Sequence, residues 1–221
     1  MFIPKLVFVD GPNACGKDYF IENFITQYKQ ENPDCKIQTV ELKSFIDKEL
    51  IKGNKTYDYF ITNREDYCGI CDSHINALTY LNQIAGNESL DTIVVNRSFS
   101  SFVIYNMLMP QTCMCGEDSE ICNTDLKIFI KRYNDVFNTY FFKTPTLFVN
   151  LTPTDKPIEE LHQTYLNRIE SRKSGLQVNQ EYVKSLISKY MTVANDIVKA
   201  YSFKEQIDSS GSSYIMKKYS F

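Results

Sequence analysis

One pattern near the amino terminus constrains this chain more than any other feature. It reads Gly11-Pro12-Asn13-Ala14-Cys15-Gly16-Lys17, which matches the first seven positions of G-x-x-x-x-G-K-[ST]. The apolar residues 5–10 precede it, and residues 17–31 carry apolar side chains at helical spacing. Glycines at such positions let backbone N–H groups converge on phosphate at a helix N-terminus, and the lysine neutralises phosphate oxygens. Because a chance glycine turn would not explain this context, the sequence predicts a phosphate-binding loop between a strand and a helix.

Apolar runs alternate with helical patterns along the rest of the chain. Further strands are predicted at 36–42, 91–96, 146–151 and 203–208. Further helices are predicted at 43–52, 72–86, 99–108, 124–141, 157–172 and 179–200. Since strands that alternate with helices form a parallel sheet covered on both faces, we predict a three-layer α/β fold with a five-stranded parallel sheet.

Composition excludes several classes of protein. The 221 residues suit one compact domain, and the formal net charge of -3 argues against non-specific binding to duplex nucleic acid. No apolar run approaches the roughly 20 residues of a membrane span, and no secretory charge pattern opens the chain. Seven cysteines, an odd number, argue against a disulfide framework. We therefore expect a cytoplasmic protein without a membrane or nucleic-acid partner.

The residue after the lysine departs from the pattern. Asp18 stands where the motif has Ser or Thr, so the hydroxyl that normally holds Mg²⁺ is missing. A carboxylate is a good ligand for a hard cation, which makes Asp18 a candidate Mg²⁺ ligand. Asp18 can equally cap the start of the helix, a role that needs no metal. Both interpretations stay open.

Later segments bear charged and hydroxyl side chains in a recognisable order. In chain order they are Thr62-Asn63-Arg64-Glu65, Asn96-Arg97-Ser98 followed by Ser101, Tyr105 and Asn106, Arg168 with Arg172, and Ile207-Asp208-Ser209-Ser210. Together with the glycine loop they resemble the motifs of thymidylate kinases and deoxynucleoside kinases, including phage and viral members. The resemblance covers most of the chain and implies the P-loop kinase fold.

The same resemblance implies an activity. It favours ATP-dependent phosphoryl transfer to a deoxynucleoside monophosphate, with thymidylate the nearest analogy. An alternative is phosphorylation of the 5′-hydroxyl of a free deoxynucleoside, and a third hypothesis is a nucleotide-binding module with weak catalysis. A fourth is a kinase that acts on a modified base within DNA, which the acidic pI disfavours. ATP and Mg²⁺ are the implied cofactors and a small nucleotide or nucleoside is the implied partner. A homodimer is common among such kinases, and a viral member would work in the host cytoplasm.

Site residues follow from the matched motifs. The resemblance assigns residues 11–18 to ATP binding. It assigns catalysis to Lys17, Arg97, Arg168, Arg172 and Asp10, and substrate binding to Arg64, Arg97, Ser101 and Tyr105. Arg168 and Arg172 lie four residues apart, so both can reach one anion from the same helical face.

A second departure concerns the predicted end of the third strand. Both families have an acid where this chain has Asn96, and asparagine cannot accept a proton. Asp10 or Asp18 can supply the missing carboxylate. If neither does, the nucleotide-binding module gains support.

Domain organisation is predicted from the same motifs. We expect a kinase domain over residues 1–208, with a lid at about 165–180 and a cysteine-containing insertion at about 110–123, and then a tail over residues 209–221.

The cysteines suggest a metal site. The candidate thiolate ligands for a structural Zn²⁺ are Cys68, Cys71, Cys113, Cys115 and Cys122, with His74 as a further ligand. A zinc ion would fasten an insertion that has little apolar content of its own. The competing interpretation is ordinary reduced cysteines in and around a loop.

Overall fold

The computed structural model describes residues 4–12, 15–42, 44–45, 67–98, 101, 104, 119–141, 144–151, 157–171, 179–200, 209–210 and 213–214. Within the helices, the side chains of residues 67–72, 119–127, 129, 158, 168–171, 191 and 193–200 lie outside this description.

Four parallel strands form the central sheet of the described chain. They are β1 (Leu6–Asp10), β2 (Ile37–Glu41), β3 (Thr92–Asn96) and β4 (Thr146–Asn150), in the spatial order β2-β3-β1-β4. Leu6 lies opposite Ile93 on one side and Thr146 on the other. Strand β1 is buried along its whole length, which explains why it is apolar up to its last residue.

Five helices whose bounds the structure describes accompany this sheet. They are α1 (Lys17–Glu31), α2 (Tyr67–Ala85), α3 (Ser119–Phe141), α4 (Ile158–Ser171) and α5 (Gln180–Ala200). Successive side chains of a strand point to opposite faces. Accordingly, Leu6 and Phe8 of β1 pack with residues of α2 and α3, whereas Val7 and Val9 pack with residues of α1. A separate apolar cluster joins α4 to α5.

The predicted fold class is confirmed: the chain is an α/β protein with a parallel sheet flanked by helices. The described sheet has four strands instead of five, and residues 203–208, predicted as the fifth strand, lie outside the described residues. The predicted helices at 43–52 and 99–108 are described at only a few positions. In the predicted tail, β5 (Ser209–Ser210) pairs antiparallel with β6 (Ser213–Tyr214).

Two helices begin earlier than the sequence predicts. Helix α2 starts at Tyr67 instead of residue 72, so the Cys68-Gly69-Ile70-Cys71 segment has a helical backbone. Gly69 is tolerated within this helix, because one glycine costs only about 1 kcal/mol relative to alanine. Helix α3 starts at Ser119, inside the segment predicted as an insertion loop.

No helix in the described ranges is both long enough and apolar enough to cross a bilayer.

Candidate functional site

The glycine loop lies at the carboxyl end of β1 and leads directly into α1. Strand β1 is paired with β3 on one side and with β4 on the other. After β1 the chain continues to β2, which lies beyond β3, and after β3 it continues to β4, which lies beyond β1. The connections from β1 and from β3 therefore run in opposite directions along the sheet. Ligands of open α/β sheets bind outside the carboxyl ends of strands at such a reversal, so the loop occupies the expected position for a site.

Gly11 is required by its surroundings as well as by its backbone. Its φ of 144° lies in a region that side-chain-bearing residues rarely adopt. A Cβ atom on Gly11 would lie 2.4 Å from the carbonyl oxygen of Leu151 and 2.7 Å from Sγ of Cys15. Gly16, immediately before α1, is left-handed with a φ of 87°. The two glycines therefore allow a tight turn between strand and helix.

Lys17 folds back over the loop. Its Nζ donates to the carbonyl oxygens of Gly11 and Pro12 at 2.8 and 2.6 Å, and lies 3.6 Å from Sγ of Cys15. The side chain is only 7% exposed. Burial lowers the pKa of Lys17 below its ordinary value of 10.5; the nearby Arg97 charge acts in the same direction, and Cys15 and Asp10 act against it. The site thus contains a desolvated cation whose ammonium donates to two backbone carbonyl oxygens.

Asp10 organises the base of the loop. Its Oδ1 accepts a hydrogen bond from the backbone N–H of Gly11 at 2.9 Å and another from the hydroxyl of Ser101. Its Oδ2 accepts one from the hydroxyl of Ser98. All three side chains are buried, with Asp10 6% exposed. The carboxylate therefore connects the end of β1 to the segment that follows β3.

The hydrogen-bonded chain continues into α5. The hydroxyl of Tyr190, on a side chain that is 1% exposed, lies 2.8 Å from Oγ of Ser101. The backbone oxygen of Tyr190 accepts a hydrogen bond from Nδ2 of Asn150, the last residue of β4, at 3.3 Å. We call the connected residues Asp10, Gly11, Ser98, Ser101 and Tyr190 the Asp10 network.

Arg97 has an unusual backbone conformation. It is the non-glycine residue of the described chain with a positive φ, 72°, and its N–H donates to the carbonyl oxygen of Val9 at 2.8 Å. A side-chain-bearing residue in this region is uncommon and is frequently found at a functional site. Its charge lies close enough to Lys17 to lower the pKa of that lysine. The predicted catalytic Arg97 therefore shares the neighbourhood of the loop.

The side chains of Asn96 and Asp18 are in contact. Nδ2 of Asn96 donates to Oδ1 of the exposed Asp18 at 3.0 Å. Oδ1 of Asn96 is itself buried and has no hydrogen-bond partner within the described part of the chain. Carboxylate and amide oxygens are both suitable ligands for Mg²⁺ or Ca²⁺. The two positions at which the motifs depart from the family patterns are thus in direct contact.

Other predicted site residues fall outside the description. Residues Asn13, Ala14, Arg64, Tyr105, Arg172, Cys113 and Cys115 are not described. Cys68 and Cys71 lie on α2, Cys122 on α3 and Arg168 on α4, with their side chains outside the description. His74 is buried. The described residues contain no group of three or more His, Cys, Asp or Glu that could hold a metal, and the zinc site stays a prediction.

Sequence reasoning missed part of the site. Ser98, Asn150 and Tyr190 received no role, although each has a side-chain or backbone polar atom in or beside the Asp10 network. Ser98 could have been found from its place directly after Arg97 at a strand end. Tyr190 lies among apolar residues at helical spacing, a pattern that indicates an ordinary core position.

The sheet, the glycine loop after β1 and the lysine that opens α1 together define a three-layer α/β fold in which a glycine-rich loop joins the first strand to the first helix. No protein-family model and no curated protein sequence matches the chain. Among solved structures, the YGR205w protein is 12% identical with a TM-score of 0.47, over 94% of this chain and 86% of that chain. Shikimate kinase from Acinetobacter baumannii, in complex with shikimate, is 11% identical with a TM-score of 0.43, over 95% of this chain and 86% of that chain. Similarity at this level does not bear on the activity of the chain.

Proposed function

We propose that this protein is a phosphotransferase that uses ATP to phosphorylate a small molecule. One observation carries the proposal: the buried ammonium of Lys17 lies over the loop that joins β1 to α1, 2.8 and 2.6 Å from two carbonyl oxygens of that loop. Backbone N–H groups at a helix N-terminus favour anions, so an ammonium held beside them suits a polyphosphate.

The chemistry follows from these groups. The acceptor oxygen attacks the γ-phosphorus, the bond from that phosphorus to the β–γ bridging oxygen breaks, and ADP leaves with the electron pair. Lys17 stabilises the negative charge that accumulates on the phosphate oxygens. Because burial already disfavours its charged form, Lys17 gains more from an incoming anion than a solvated lysine would.

Asp18 and Asn96 fit the requirements of Mg²⁺. Asp18 offers an exposed carboxylate, and Asn96 offers an amide oxygen that has no partner among the described residues. When bound, Mg²⁺ neutralises phosphate charge and orients the phosphates for transfer. Asp10 is less suited to hold the ion, since its carboxylate already accepts three hydrogen bonds.

For the acceptor, we propose a deoxynucleoside monophosphate, as in thymidylate kinases, with a free deoxynucleoside as the second candidate. Arg97 supports either acceptor, because it lies at the carboxyl end of β3, close to Lys17. Ser101 receives a smaller part in substrate binding, since its hydroxyl already bonds to Asp10 and Tyr190. Arg64, Tyr105, Arg168 and Arg172 keep the roles that the family resemblance implies.

A nucleotide-binding module with weak turnover is a further candidate. The observation that favours it is Asn96, whose amide cannot act as a base where related kinases have an acid.

The test is an assay of the purified chain with γ-labelled ATP, Mg²⁺ and panels of nucleosides and nucleoside monophosphates. We expect labelled product with one or more monophosphates. Label transferred only to nucleosides would support the second candidate. ATP binding by calorimetry without any labelled product would support the binding module, and no ATP binding at all would contradict the proposal.

A further inference from the structure

Tyr190 lies at one end of a directional chain of hydrogen bonds. Ser101 donates its hydroxyl hydrogen to Oδ1 of Asp10. A hydroxyl has one hydrogen, so the contact of 2.8 Å between Ser101 and Tyr190 requires Tyr190 to be the donor. The donors therefore run from Tyr190 to Ser101 to Asp10, and hydrogen bonds aligned in this way strengthen one another in a buried setting.

The other end of this chain is the first amide of the phosphate loop. The same oxygen of Asp10 that accepts the Ser101 hydroxyl also accepts the backbone N–H of Gly11 at 2.9 Å. The Leu151 carbonyl oxygen and Cys15 Sγ occupy the space where a Cβ on Gly11 would lie. A change in the position of the Asp10 carboxylate would alter the hydrogen bond that orients this loop amide.

The ring of Tyr190 connects this chain to two helices. It packs in an apolar cluster with Leu161 and Tyr165 of α4 and with Val183 and Leu186 of α5. Helix α4 also contains Arg168, to which the family resemblance assigns a place in the lid. The backbone oxygen of Tyr190 is held by Asn150 at the end of β4, which fixes α5 against the sheet near the loop.

We infer that Tyr190 is a positioning residue that couples the α4–α5 helix pair to the geometry of the phosphate loop, acting through Ser101 and Asp10. The expected consequence is tighter binding of the ATP phosphates when the helix pair is packed in this position, and this consequence rests on the proposed function. The competing explanation is that Tyr190 is a core residue whose hydroxyl only forms a hydrogen bond with the buried Ser101 and does not affect the loop.

Hydrogen exchange on the free protein separates these explanations. Tyr190→Phe keeps the ring in its cluster and removes only the hydroxyl. We expect amide exchange in a peptide covering residues 11–18 to rise about tenfold, the factor expected for one buried hydrogen bond, with little change in α4 and α5. The matched control is Tyr182→Phe, which removes a hydroxyl from the same helix and should leave the loop unchanged.

Ligand binding provides a second readout. Calorimetry with ATP and Mg²⁺ should give a dissociation constant about tenfold higher for Tyr190→Phe than for the wild type and for Tyr182→Phe. In a Ser101→Ala background, where the hydroxyl chain is already broken, Tyr190→Phe should change the loop exchange no further.

Clear results would overturn the inference. Exchange that rises in α4 and α5 while residues 11–18 keep their wild-type rate, or that rises by the same factor throughout the protein, would assign Tyr190 to the core alone. Equal effects of Tyr190→Phe in the wild-type and Ser101→Ala backgrounds would also reject the connection. If the wild type fails to bind ATP, the proposed function fails, whereas the exchange measured without ligand still decides the role of Tyr190.

Discussion

Two buried regions of the molecule differ in their side chains, which are mainly aromatic in one region and polar in the other. Between β1 and helices α2 and α3 lies an aromatic layer, which consists of Phe8, Tyr133, Phe137, Phe141 and Phe148. Within it, the rings of Phe8 and Phe148 stack at 5.0 Å, and Phe137 and Phe141 lie 5.2 Å apart. At the carboxyl end of the same strand lies the Asp10 network, where buried polar groups are joined by hydrogen bonds.

The difference shows that one region stabilises the fold, whereas the other determines the geometry of the loop. Burying an aromatic side chain stabilises the fold by about 1.5–3 kcal/mol whatever its exact direction, because the hydrophobic effect is not directional. A buried hydrogen bond adds only about 0.5–1.5 kcal/mol, but leaving its donor or acceptor unpaired costs about 1–3 kcal/mol. The Asp10 network therefore favours one arrangement of the loop, and the aromatic layer supplies the free energy that holds it.

The largest expected effect concerns the loop lysine. Lys17→Ala should lower phosphoryl transfer by roughly 10³–10⁵-fold, because it removes a cation that stabilises the transferred phosphate. The melting temperature should change little, since burial already disfavours this charge. Kinetics and thermal unfolding measure the two quantities.

Lys184→Ala is the matched control for this lysine. Lys184 forms an exposed ion pair with Glu181 at 3.1 Å, so its loss should affect neither activity nor stability by a measurable amount. Full activity of Lys17→Ala would contradict a role of the loop in phosphoryl transfer.

Next in size is a change in the aromatic layer. Phe137→Ala should lower the free energy of unfolding by about 3–5 kcal/mol, because it leaves a cavity among rings that surround it. Ile128→Ala on the same helix is the control, since Ile128 is 61% exposed, and it should cost less than about 0.5 kcal/mol. Denaturant unfolding measures both. If Phe137→Ala weakened ATP binding by the folded protein as strongly as it weakened folding, the two regions would not act separately.

A smaller effect is expected at the turn itself. Gly11→Ala should destabilise the protein by about 2–3 kcal/mol, because the added Cβ meets Leu151 and Cys15 at a φ unsuited to alanine. At Gly86 an added Cβ would make ordinary contacts of 3.5 Å with backbone oxygens, so Gly86→Ala should stay within about 1 kcal/mol of the wild type. Chemical unfolding of both variants checks this, and equal stabilities would show that the loop adapts.

The smallest effect is a pH dependence. The pKa of Lys17 in the free protein is lowered from 10.5 by burial, and a bound polyphosphate should raise it again. Between these two pKa values binding takes up a proton, so ATP affinity should fall as pH rises, by at most about tenfold per pH unit. Without ATP, the unfolded chain holds this proton more tightly than the folded protein, so the same group makes stability rise with pH between the lowered pKa of the folded state and the ordinary value of 10.5.

Calorimetry in buffers of different ionisation heat measures the proton uptake directly. The Lys184→Ala control should show the same uptake as the wild type, since its ammonium is exposed and distant in sequence from the loop. Affinity that stays constant up to pH 10.5 would contradict the assignment of this proton to Lys17.

Local patterns of the sequence determined the strand, loop and helix that carry the glycine motif. The predicted strand at 5–10 and helix at 17–31 correspond to β1 (Leu6–Asp10) and α1 (Lys17–Glu31), because each depends on residues within a few positions of one another. The need for glycine at positions 11 and 16 is of the same local kind.

Tertiary structure alone decided which groups meet at the end of β1. Asp10 bonds to Ser98 and Ser101, and Ser101 to Tyr190, across sequence separations of 88, 91 and 89 residues. Asp18 and Asn96, two separate departures from the family motifs, proved to be neighbours 78 residues apart. Strand order and register determine such pairs, and periodicity along a single chain carries no information about them, since hydrogen-bond partners are selected by position in space.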